Sequence, residues 1–303
     1  MKLERNKSYK GDCVELMKLL PNESVNVILT DPPYLYLKNQ KLDRPFDETE
    51  YFNQVKRVLK KDGFIVLFGR GTSFYRWNTI LADLGFNFKE EIIWDKKRTS
   101  SPLLNLGRCH ETISIHSKGN GTINKVRVPY LESTIDIERI SSDIKRITPI
   151  LSNPKELADV EYYLQTGELP NRYDRSELSA SVSSNISTPS PCVNTVKVIQ
   201  EGKIEKSIIT TIVECCTPRT KGIHPTQKPP RLLERLLALV CKGEPNKPKL
   251  LILDTFRGSG STDIACMNFG VDYISFEIDD EYFDRANIRI DKYKKAIFEK
   301  KYN

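Results

Sequence analysis

The sequence predicts an α/β fold with a doubly wound, mostly parallel sheet, and three observations support that prediction. Residues 1–118 alternate apolar, strand-like runs with helix-like segments, as α/β domains do. The same alternation resumes in residues 221–303. Within that part, a strand, a glycine-rich turn, a helix and a second strand ending in an acid follow one another as a βαβ unit. Residues 119–220 lack the alternation, so we predict that they form an inserted region.

The N-terminal part predicts alternating helices and strands. In order, they are a helix at 12–20, a strand at Val25–Thr30, a helix at 48–61, a strand at 64–68, a helix ending near 85, and strands at 88–94 and 112–116. The second helix has Asp47 as its N-terminal cap and an Asp-Gly pair at 62–63 as its end signal. Its apolar side chains recur on one helical face, at Tyr51, Phe52, Val55, Val58 and Leu59.

The rest of the chain predicts further elements on either side of residue 220. The inserted region predicts a helix at 153–167, a serine-rich linker at 176–191, and a hairpin whose strands are 196–200 and 207–213. Beyond it, the pattern predicts a helix at 229–240, a strand at 249–253, a helix ending near 270 and a strand at 273–276. We therefore divide the chain at 1–118, 119–220 and 221–303.

Composition narrows the class of protein. The chain of 303 residues has a net charge of +7 and no apolar run as long as a membrane span, so we expect a cytoplasmic protein. Seven cysteines without a repeated spacing argue against a disulfide framework, and only three histidines argue against a zinc site. Residues 119–220 hold 12 basic and 13 acidic side chains, so the positive charge lies in the flanking parts. A polyanionic partner is compatible with that charge but does not follow from it.

The predicted strand Val25–Thr30 runs directly into the tetrapeptide Asp31-Pro32-Pro33-Tyr34. The two prolines fix φ and remove two backbone donors, so the strand must end there with rigid geometry. The turn presents a carboxylate, a carbonyl and an aromatic ring at a strand end, where ligands of parallel α/β sheets bind. Carboxylate and carbonyl can accept both protons of an amino group, and the ring can stack on a base. For these four residues alone, a strand-ending turn with a surface acid explains the pattern as well.

The predicted strand at 249–253 leads into Asp254-Thr255-Phe256-Arg257-Gly258-Ser259-Gly260. Its glycines allow the backbone to approach a ligand, with free N–H groups at the start of the next helix, although a structural turn alone would also need them. Glu277, at the end of the following strand, is placed to accept hydrogen bonds from a ribose diol. A dinucleotide-binding turn would have a third glycine, but position 263 is Asp. The pattern therefore favours a nucleoside cofactor without a pyrophosphate.

Three motifs together carry a resemblance to a known family: Asp-Pro-Pro-Tyr at 31–34, His-Pro-Thr-Gln-Lys-Pro at 224–229, and Asp-x-Phe-x-Gly-Ser-Gly at 254–260. Weaker agreement comes from short stretches at 11–12, 108–111 and 276–279. The chain resembles the S-adenosylmethionine-dependent amino-methyltransferases of DNA, in the permuted β class whose DPPY motif precedes FxGxG. The resemblance covers about two thirds of the chain. It implies a Rossmann-like fold with a circularly permuted motif order and an inserted target-recognition region.

The resemblance implies a cofactor site. Phe256 would pack near the adenine of S-adenosylmethionine, Glu277 would hold the ribose, and Asp12 would lie near the adenine amine. Lys228 would meet the methionine carboxylate, although a lysine at the start of a helix is often only a solvated cap. The complete implied set is Asp12, Asp31, Lys228, Asp254, Phe256, Gly258, Ser259, Gly260 and Glu277.

The resemblance also implies the acceptor chemistry. The target base would be flipped out of the duplex and stacked on Tyr34, with its amine held by the Asp31 carboxylate and the Pro32 carbonyl. Asp rather than Ser at position 31 favours N6 of adenine as the target, and N4 of cytosine is the alternative. Two other classes stay open. A nicotinamide-dependent oxidoreductase would leave the motifs at 31–34 and 224–229 unexplained, and a non-catalytic DNA-binding protein would keep the fold without methyl transfer.

Double-stranded DNA is the partner that the resemblance implies. Lys96, Lys97 and Arg98, which follow the predicted strand at 88–94, are the candidates for phosphate contact. Residues 119–220 would recognise the target sequence, by elimination. A cognate restriction endonuclease and a second copy of the chain are further candidate partners. One departure from the family is Thr255, where proline is usual, and we expect it to change the rigidity of the turn rather than abolish binding.

Overall fold

The computed structural model describes the chain at residues 2–34, 43–97, 105–128, 198, 201–211, 227–242 and 248–302. The chain divides into two compact units, residues 1–124 with 206–303 and residues 125–205. The predicted helix at 153–167 and the predicted serine-rich linker at 176–191 lie outside the described residues. In the parts that the structure describes, no helix is long and apolar enough to cross a membrane.

The first unit contains an eight-stranded sheet and the helices that connect its strands. In chain order, the described elements of both units are β1 (Lys7–Lys10), α1 (Cys13–Lys18), β2 (Val25–Thr30), α2 (Glu48–Val58), β3 (Leu59–Gly69), α3 (Gly71–Asp83), β4 (Asn87–Asp95), β5 (His110–Ser117), β6 (Arg127–Val128), β7 (Lys203–Ile204), β8 (Ile208–Thr210), α4 (Pro230–Val240), β9 (Leu251–Asp254), α5 (Ser261–Phe269), β10 (Asp272–Glu277) and α6 (Asp280–Tyr302).

The strands of the large sheet lie in the order β1-β10-β9-β2-β3-β5-β4-β8. β5 is antiparallel to β3 and β4, and every other neighbouring pair is parallel. Seven strands therefore run one way and β5 runs the opposite way. This architecture confirms the predicted Rossmann-like α/β class with a mostly parallel sheet.

The order of the strands reverses between β9 and β2, which are parallel neighbours at the centre of the sheet. From β2 the chain passes through α2 to β3 on one side, and from β9 it passes through α5 to β10 on the other. At such a switch point the two connections leave in opposite directions, so a crevice opens at the carboxyl ends of the strands. The two motifs that the sequence placed far apart, at 31–34 and 254–260, both begin at this crevice.

Helix α2 shows how sequence and packing compete. As predicted, the Asp47 side chain caps it by accepting a hydrogen bond from the Glu50 N–H at 3.0 Å. The predicted apolar face is buried. The helix nevertheless ends at Val58 instead of residue 61, because Leu59 pairs with Val25 and begins β3. Strand pairing here overrides the helical period of the sequence.

The predicted hairpin between 196–200 and 207–213 is wrong for the described residues. Lys203–Ile204 (β7) pairs antiparallel with Arg127–Val128 (β6) in the second unit. Ile208–Thr210 (β8) instead joins the large sheet, parallel to β4. The first predicted strand, 196–200, lies outside the described residues except for residue 198, and the second finds a partner distant in sequence.

Asp263, which stands where a dinucleotide-binding turn has its third glycine, forms a buried ion pair. Its Oδ2 atom lies 2.7 Å from Nε of Arg257. The Ser8 hydroxyl donates to the same carboxylate at 3.2 Å, and Arg257 also donates to the Asn287 side chain at 2.9 Å. These contacts join the glycine-rich turn to β1, α5 and α6. Removing one partner of such a pair is costly because the other charge stays buried, so Asp263 has a structural role.

Asp254, the last residue of β9, is 4% exposed. Burial raises the pKa of its carboxyl to about 7, although the Thr262 hydroxyl and the Phe256 N–H donate hydrogen bonds to it. Burial disfavours the charged form of a carboxyl group, and two further carboxyl groups, those of Asp263 and Asp31, add to the effect. Folding therefore favours the protonated form of this side chain.

This titration predicts a pH-dependent loss of stability. Between pH 5 and pH 8 the native state releases a proton from Asp254 that the unfolded chain has already lost, so the free energy of unfolding should fall as the pH rises. Asp254→Asn removes this contribution. We expect the stability of the wild-type protein relative to the variant to drop by about 2 kcal/mol over that range, measured by denaturant unfolding at both pH values.

Asp284→Asn is the matched control, because Asp284 is exposed on α6. Its difference from the wild-type protein should be the same at pH 5 and pH 8. If the Asp254→Asn difference is also unchanged between the two pH values, the account of Asp254 is wrong.

Candidate active site

One cavity occupies the crevice at the carboxyl ends of β2 and β9. It is lined by the predicted acceptor residues Asp31, Pro32 and Tyr34. It is also lined by eight of the nine predicted cofactor residues: Asp12, Asp31, Lys228, Asp254, Phe256, Gly258, Ser259 and Glu277. The ninth, Gly260, lies just behind the wall as the N-terminal cap of α5. The fold thus brings together the described parts of three motifs that are up to about 220 residues apart in sequence.

The Asp31 carboxylate is held from both sides. The Tyr34 hydroxyl donates to Oδ1 at 2.5 Å, and the Lys228 ammonium contacts Oδ2. The Ser73 hydroxyl of α3 donates to the Tyr34 carbonyl at 2.7 Å, so the turn is also anchored to a helix. The Tyr34 ring packs near Trp77, with 6.3 Å between ring centroids.

Asp31 is the first member of a row of alternating charges. Lys228 Nζ also lies 3.0 Å from Oε2 of Glu111, on β5. Lys96 Nζ, at the end of β4, lies 2.9 Å from Oε1 of the same Glu111. We call these four residues the charge row: Asp31, Lys228, Glu111 and Lys96.

Burial and charge act against each other in the charge row. Burial alone would lower the pKa of Lys228, but the carboxylates of Asp31 and Glu111 outweigh it and raise that pKa above its ordinary value. Burial would raise the pKa of Glu111, but the ammonium groups of Lys228 and Lys96 hold it below its ordinary value. Burial raises the pKa of Asp31, and the Lys228 ammonium opposes that effect. Lys228 is therefore a charged group shared between two acids.

The three residues predicted to contact phosphate have different positions. Lys96 turns inward: its side chain is 14% exposed and is engaged by Glu111. Lys97 is more exposed, at 54%, and its ammonium lies 3.5 Å from Asp95. Arg98 lies outside the described residues. Lys97 follows the carboxyl end of β4, so it stands at the same edge of the sheet as Asp31.

The glycine-rich turn has the left-handed backbone that its glycines predict, and the N–H groups of both glycines are engaged within the turn and by Glu277. Gly258 and Gly260 have φ of 50° and 72°, in the left-handed region that favours glycine. The Gly258 N–H donates to Oε2 of Glu277 at 2.9 Å, and the Gly260 N–H donates to the Arg257 carbonyl at 3.0 Å. The turn therefore uses the N–H groups of both glycines to stabilise itself, and the predicted free N–H groups at the start of α5 stay a prediction.

Glu277 and Asp12 are both fixed by backbone donors at the cavity wall. The second oxygen of Glu277 accepts a hydrogen bond from the Asp279 N–H at 2.9 Å. Oδ1 of Asp12 caps α1 by accepting from the N–H groups of Val14 and Glu15, at 2.9 and 3.1 Å. A carboxylate offers about four acceptor sites, so each of these side chains keeps acceptor capacity for a ligand.

Two residues of the cavity wall come from a loop that carried no periodic signal. Phe46 packs against Phe256, with 5.2 Å between ring centroids. Arg44 pairs with Asp279 at 3.0 Å, beside the end of β10. Nothing local in the sequence indicates these contacts, because they depend on where the loop crosses the cavity.

Glu111 is the other site residue to which the sequence gave no role. It belongs to the stretch 108–111, where the family resemblance is weak, and its position in the site follows only from the pairing of β5 between β3 and β4. Residues 224–226 of the His-Pro-Thr-Gln-Lys-Pro motif lie outside the described residues. Among the residues that the structure describes, no three His, Cys, Asp or Glu side chains are grouped in a way that could hold a metal ion.

Comparison with known proteins gives relatives along nearly the whole chain. The type II methyltransferase M.HinfI of Haemophilus influenzae is 25% identical over 319 aligned positions, which cover 95% of this chain and 69% of the relative. A putative methylase of Escherichia coli K12, YubD, is 24% identical, and its alignment covers 95% of this chain and 91% of the relative. The aligned region includes both halves of the cavity.

Solved structures share the fold. The PvuII DNA methyltransferase, described as cytosine-N4-specific, superposes with a TM-score of 0.56 at 18% identity, covering 95% of this chain and 87% of that one. TTHA0409, a putative DNA modification methylase of Thermus thermophilus in complex with S-adenosyl-L-methionine, gives a TM-score of 0.51 at 19% identity, covering 93% of both chains.

A family model, described as DNA methylase, matches residues 25–288. That span includes the strand before Asp31, the charge row, the glycine-rich turn and Glu277. The chain therefore belongs to this family of DNA methylases, the S-adenosylmethionine-dependent enzymes that methylate amino groups of DNA bases.

Proposed function

We propose that the protein transfers a methyl group from S-adenosylmethionine to the N6 amine of adenine in duplex DNA, after flipping the base out of the helix. The observation that carries the proposal is that one cavity is lined by both the acceptor turn and the cofactor residues. Asp at position 31 supports adenine. N4 of cytosine is the alternative, because its amine presents the same two protons to the same acceptors.

The residues of the cavity fit the parts of the cofactor. Glu277 lies at the end of β10 with acceptor capacity that suits a ribose diol. Phe256 offers an apolar ring for the adenine, beside Asp12. Lys228, Asp31 and Glu111 lie together in the same cavity and offer charges that suit the amino-acid part. Asp254, Ser259 and the two glycines complete the proposed set.

Asp31 and Pro32 would hold the target amine. The carboxylate and the carbonyl would accept hydrogen bonds from its two N–H groups, which orients the nitrogen lone pair, and Tyr34 would stack on the base. Once the carbon–sulfur bond breaks and the carbon–nitrogen bond forms, the nitrogen loses one of these protons to solvent. The bound sulfonium supplies an activated methyl group with a good leaving group. The protein therefore contributes position and electrostatics: Asp31 stabilises the positive charge that develops on the amine nitrogen. A purely positional mechanism needs no nucleophilic side chain.

The charge row adds a condition to this mechanism. In the structure, Asp31 is paired with Lys228 and with the Tyr34 hydroxyl. A cofactor carboxylate beside Lys228 would compete for the ammonium, and Glu111 keeps that ammonium within reach of both groups. We propose that Lys228 moves off Asp31 when the cofactor binds, so that Asp31 becomes free for the amine.

DNA binding would involve the edge of the sheet that carries the cavity. Lys97 stands at that edge, and Arg98 is the next residue along the chain. Lys96 would act through Glu111 more than through phosphate, since its ammonium faces inward. We keep residues 119–220 as the proposed target-recognition region. A cytoplasmic location, a cognate restriction endonuclease and a homodimer stay predictions, and sedimentation with and without duplex DNA would test the last.

Incubation of the protein with duplex DNA and labelled S-adenosylmethionine tests the main proposal. We expect label in DNA and, after digestion to nucleosides, N6-methyl-2′-deoxyadenosine as the product. Asp31→Ala should abolish incorporation while the protein still binds the cofactor. N4-methyl-2′-deoxycytidine would replace the proposal by its alternative, and an Asp31→Ala variant as active as the wild-type protein would overturn the proposed mechanism.

Glu111→Gln tests the charge row. The substitution keeps the shape but removes the negative charge between two ammonium groups, so Lys228 should pair more tightly with Asp31. We expect methyl transfer to slow by roughly 10- to 100-fold, the loss of one charge-assisted contact, in single-turnover assays. Glu91→Gln, on the exposed face of β4, is the control and should react at the wild-type rate. Equal rates for Glu111→Gln and Glu91→Gln would contradict the role of Glu111.

Lys97→Ala tests the phosphate contact. We expect weaker DNA binding at all sequences and a smaller slope of log affinity against log salt, by about one unit, because one counterion fewer is released. Cofactor affinity should not change. Lys56→Ala is the control: Lys56 is exposed in the last turn of α2, which leads to the opposite edge of the sheet. An unchanged salt slope for Lys97→Ala would remove Lys97 from the DNA interface.

A further inference from the structure

Thr255 follows the last residue of β9 and directly precedes Phe256 in the glycine-rich turn. We infer that Thr255 is a positioning residue: its hydroxyl joins the strand end that carries Asp31 to the turn that carries Phe256. The inference rests on the proposed function, because it gives those two residues the acceptor and the cofactor. Thr255 itself touches neither ligand in this account.

The contacts of the Thr255 hydroxyl are short and buried. Its Oγ1 lies 2.8 Å from Oγ1 of Thr30 and 2.7 Å from the hydroxyl of Tyr51. Thr255 and Thr30 are each 2% exposed, and Tyr51 is fully buried. Burial raises the pKa of Tyr51 above its ordinary value, so all three groups are neutral hydroxyls that can both donate and accept. We call these three residues the hydroxyl bridge.

The hydroxyl bridge lies just beyond the last backbone pairing between β2 and β9. The parallel pairing of β2 with β9 includes Ile28 with Leu253, two residues before Thr30 and Thr255 respectively. Beyond that pair the chains leave in opposite directions around the switch point. The side-chain bridge therefore connects the two strand ends at the level of the cavity.

Each strand-end member of the hydroxyl bridge is one residue from a proposed ligand-binding residue. Thr30 directly precedes Asp31, and Thr255 directly precedes Phe256. The third member fixes the ring of Phe256 as well, since the Tyr51 ring packs against it with 5.5 Å between centroids. A shift of the bridge would change the separation between the acceptor carboxylate and the cofactor ring. Methyl transfer is sensitive to such displacements because it requires the reacting atoms in line and in contact.

Proline at this position could not make the connection, because it has no hydroxyl group. In a chain with proline, rigidity of the turn itself would have to serve the same purpose. Here, a flexible residue with two buried hydrogen bonds takes its place.

Three substitutions test the hydroxyl bridge: Thr255→Val, which keeps the shape without the hydroxyl, Thr255→Ser, which keeps the hydroxyl, and Thr30→Val. In single-turnover assays with saturating cofactor and DNA, we expect Thr255→Val to transfer methyl about tenfold more slowly or worse. Its cofactor Kd should change by less than about threefold, as the effect is one of position. Thr255→Ser should recover most of the rate. Thr79→Val, at an exposed position of α3, is the control for a threonine hydroxyl lost elsewhere.

A merely structural role would give a different pattern. It would lower the denaturant midpoint of Thr255→Val while leaving the rate of the folded protein at the wild-type value, and that result would overturn the inference. Equal rate losses for Thr255→Ser and Thr255→Val would overturn it too. The double variant of Thr30→Val and Thr255→Val should lose less stability than the sum of the losses of the two single variants. The reason is that both substitutions remove the same hydrogen bond, the one between Thr30 and Thr255.

This coupling is measured by unfolding and does not depend on DNA. Additive losses would refute the hydroxyl bridge even if the enzyme methylates DNA as proposed. Conversely, a wild-type protein that transfers no methyl group, but shows the coupling, would refute the proposed function and leave the bridge intact.

Discussion

The reversal of strand order between β9 and β2 is the constraint on which the rest of the molecule depends. It places the carboxyl ends of two central parallel strands side by side. Because the segments that follow these strands leave toward opposite sides of the sheet, a crevice forms between them. One strand delivers the turn that begins at Asp31, and the other delivers the turn that begins at Asp254. The order of the motifs along the chain is immaterial to this geometry, because what matters is which strands are neighbours.

The crevice is costly to build, because it gathers charged and polar groups away from water. In the charge row, acidic and basic side chains alternate, so each buried charge has a neighbour of opposite sign. Their attraction offsets part of the free energy lost when the charges leave water. Asp263 and Arg257 follow the same rule beneath the glycine-rich turn. Asp254 is also buried, and burial, with the neighbouring Asp263 and Asp31 carboxyl groups, raises its pKa to about 7. Burial raises the pKa values of three acids that line the cavity, Asp31, Asp254 and Glu277, whereas the two ammonium groups lower that of Glu111.

The sequence was sufficient for the features that depend on local order and insufficient for those that depend on pairing between distant segments. The cap at Asp47, the strand before Asp31 and the βαβ unit up to Glu277 were all predictable, because each has a periodic or capping signal of its own. The end of α2 and the partner of β8 were not, since strand pairing decided both. At the site, composition suggested a surface position for Lys96, but the pairing of β4 with β5 turned it toward Glu111. The hydroxyl of Thr255 acquired a role only when the fold brought Thr30 and Tyr51 beside it.

The central claim is that one cavity holds both the methyl donor and the methyl acceptor. A crystal structure of the protein with S-adenosylhomocysteine and a duplex containing its target site would test it most directly. The account predicts the ribose hydroxyls within hydrogen-bonding distance of Glu277, the amino-acid carboxylate at Lys228, and a flipped base stacked on Tyr34 with its amine at Asp31. A ligand bound outside the crevice between β2 and β9, or a target base left stacked in the duplex, would contradict it.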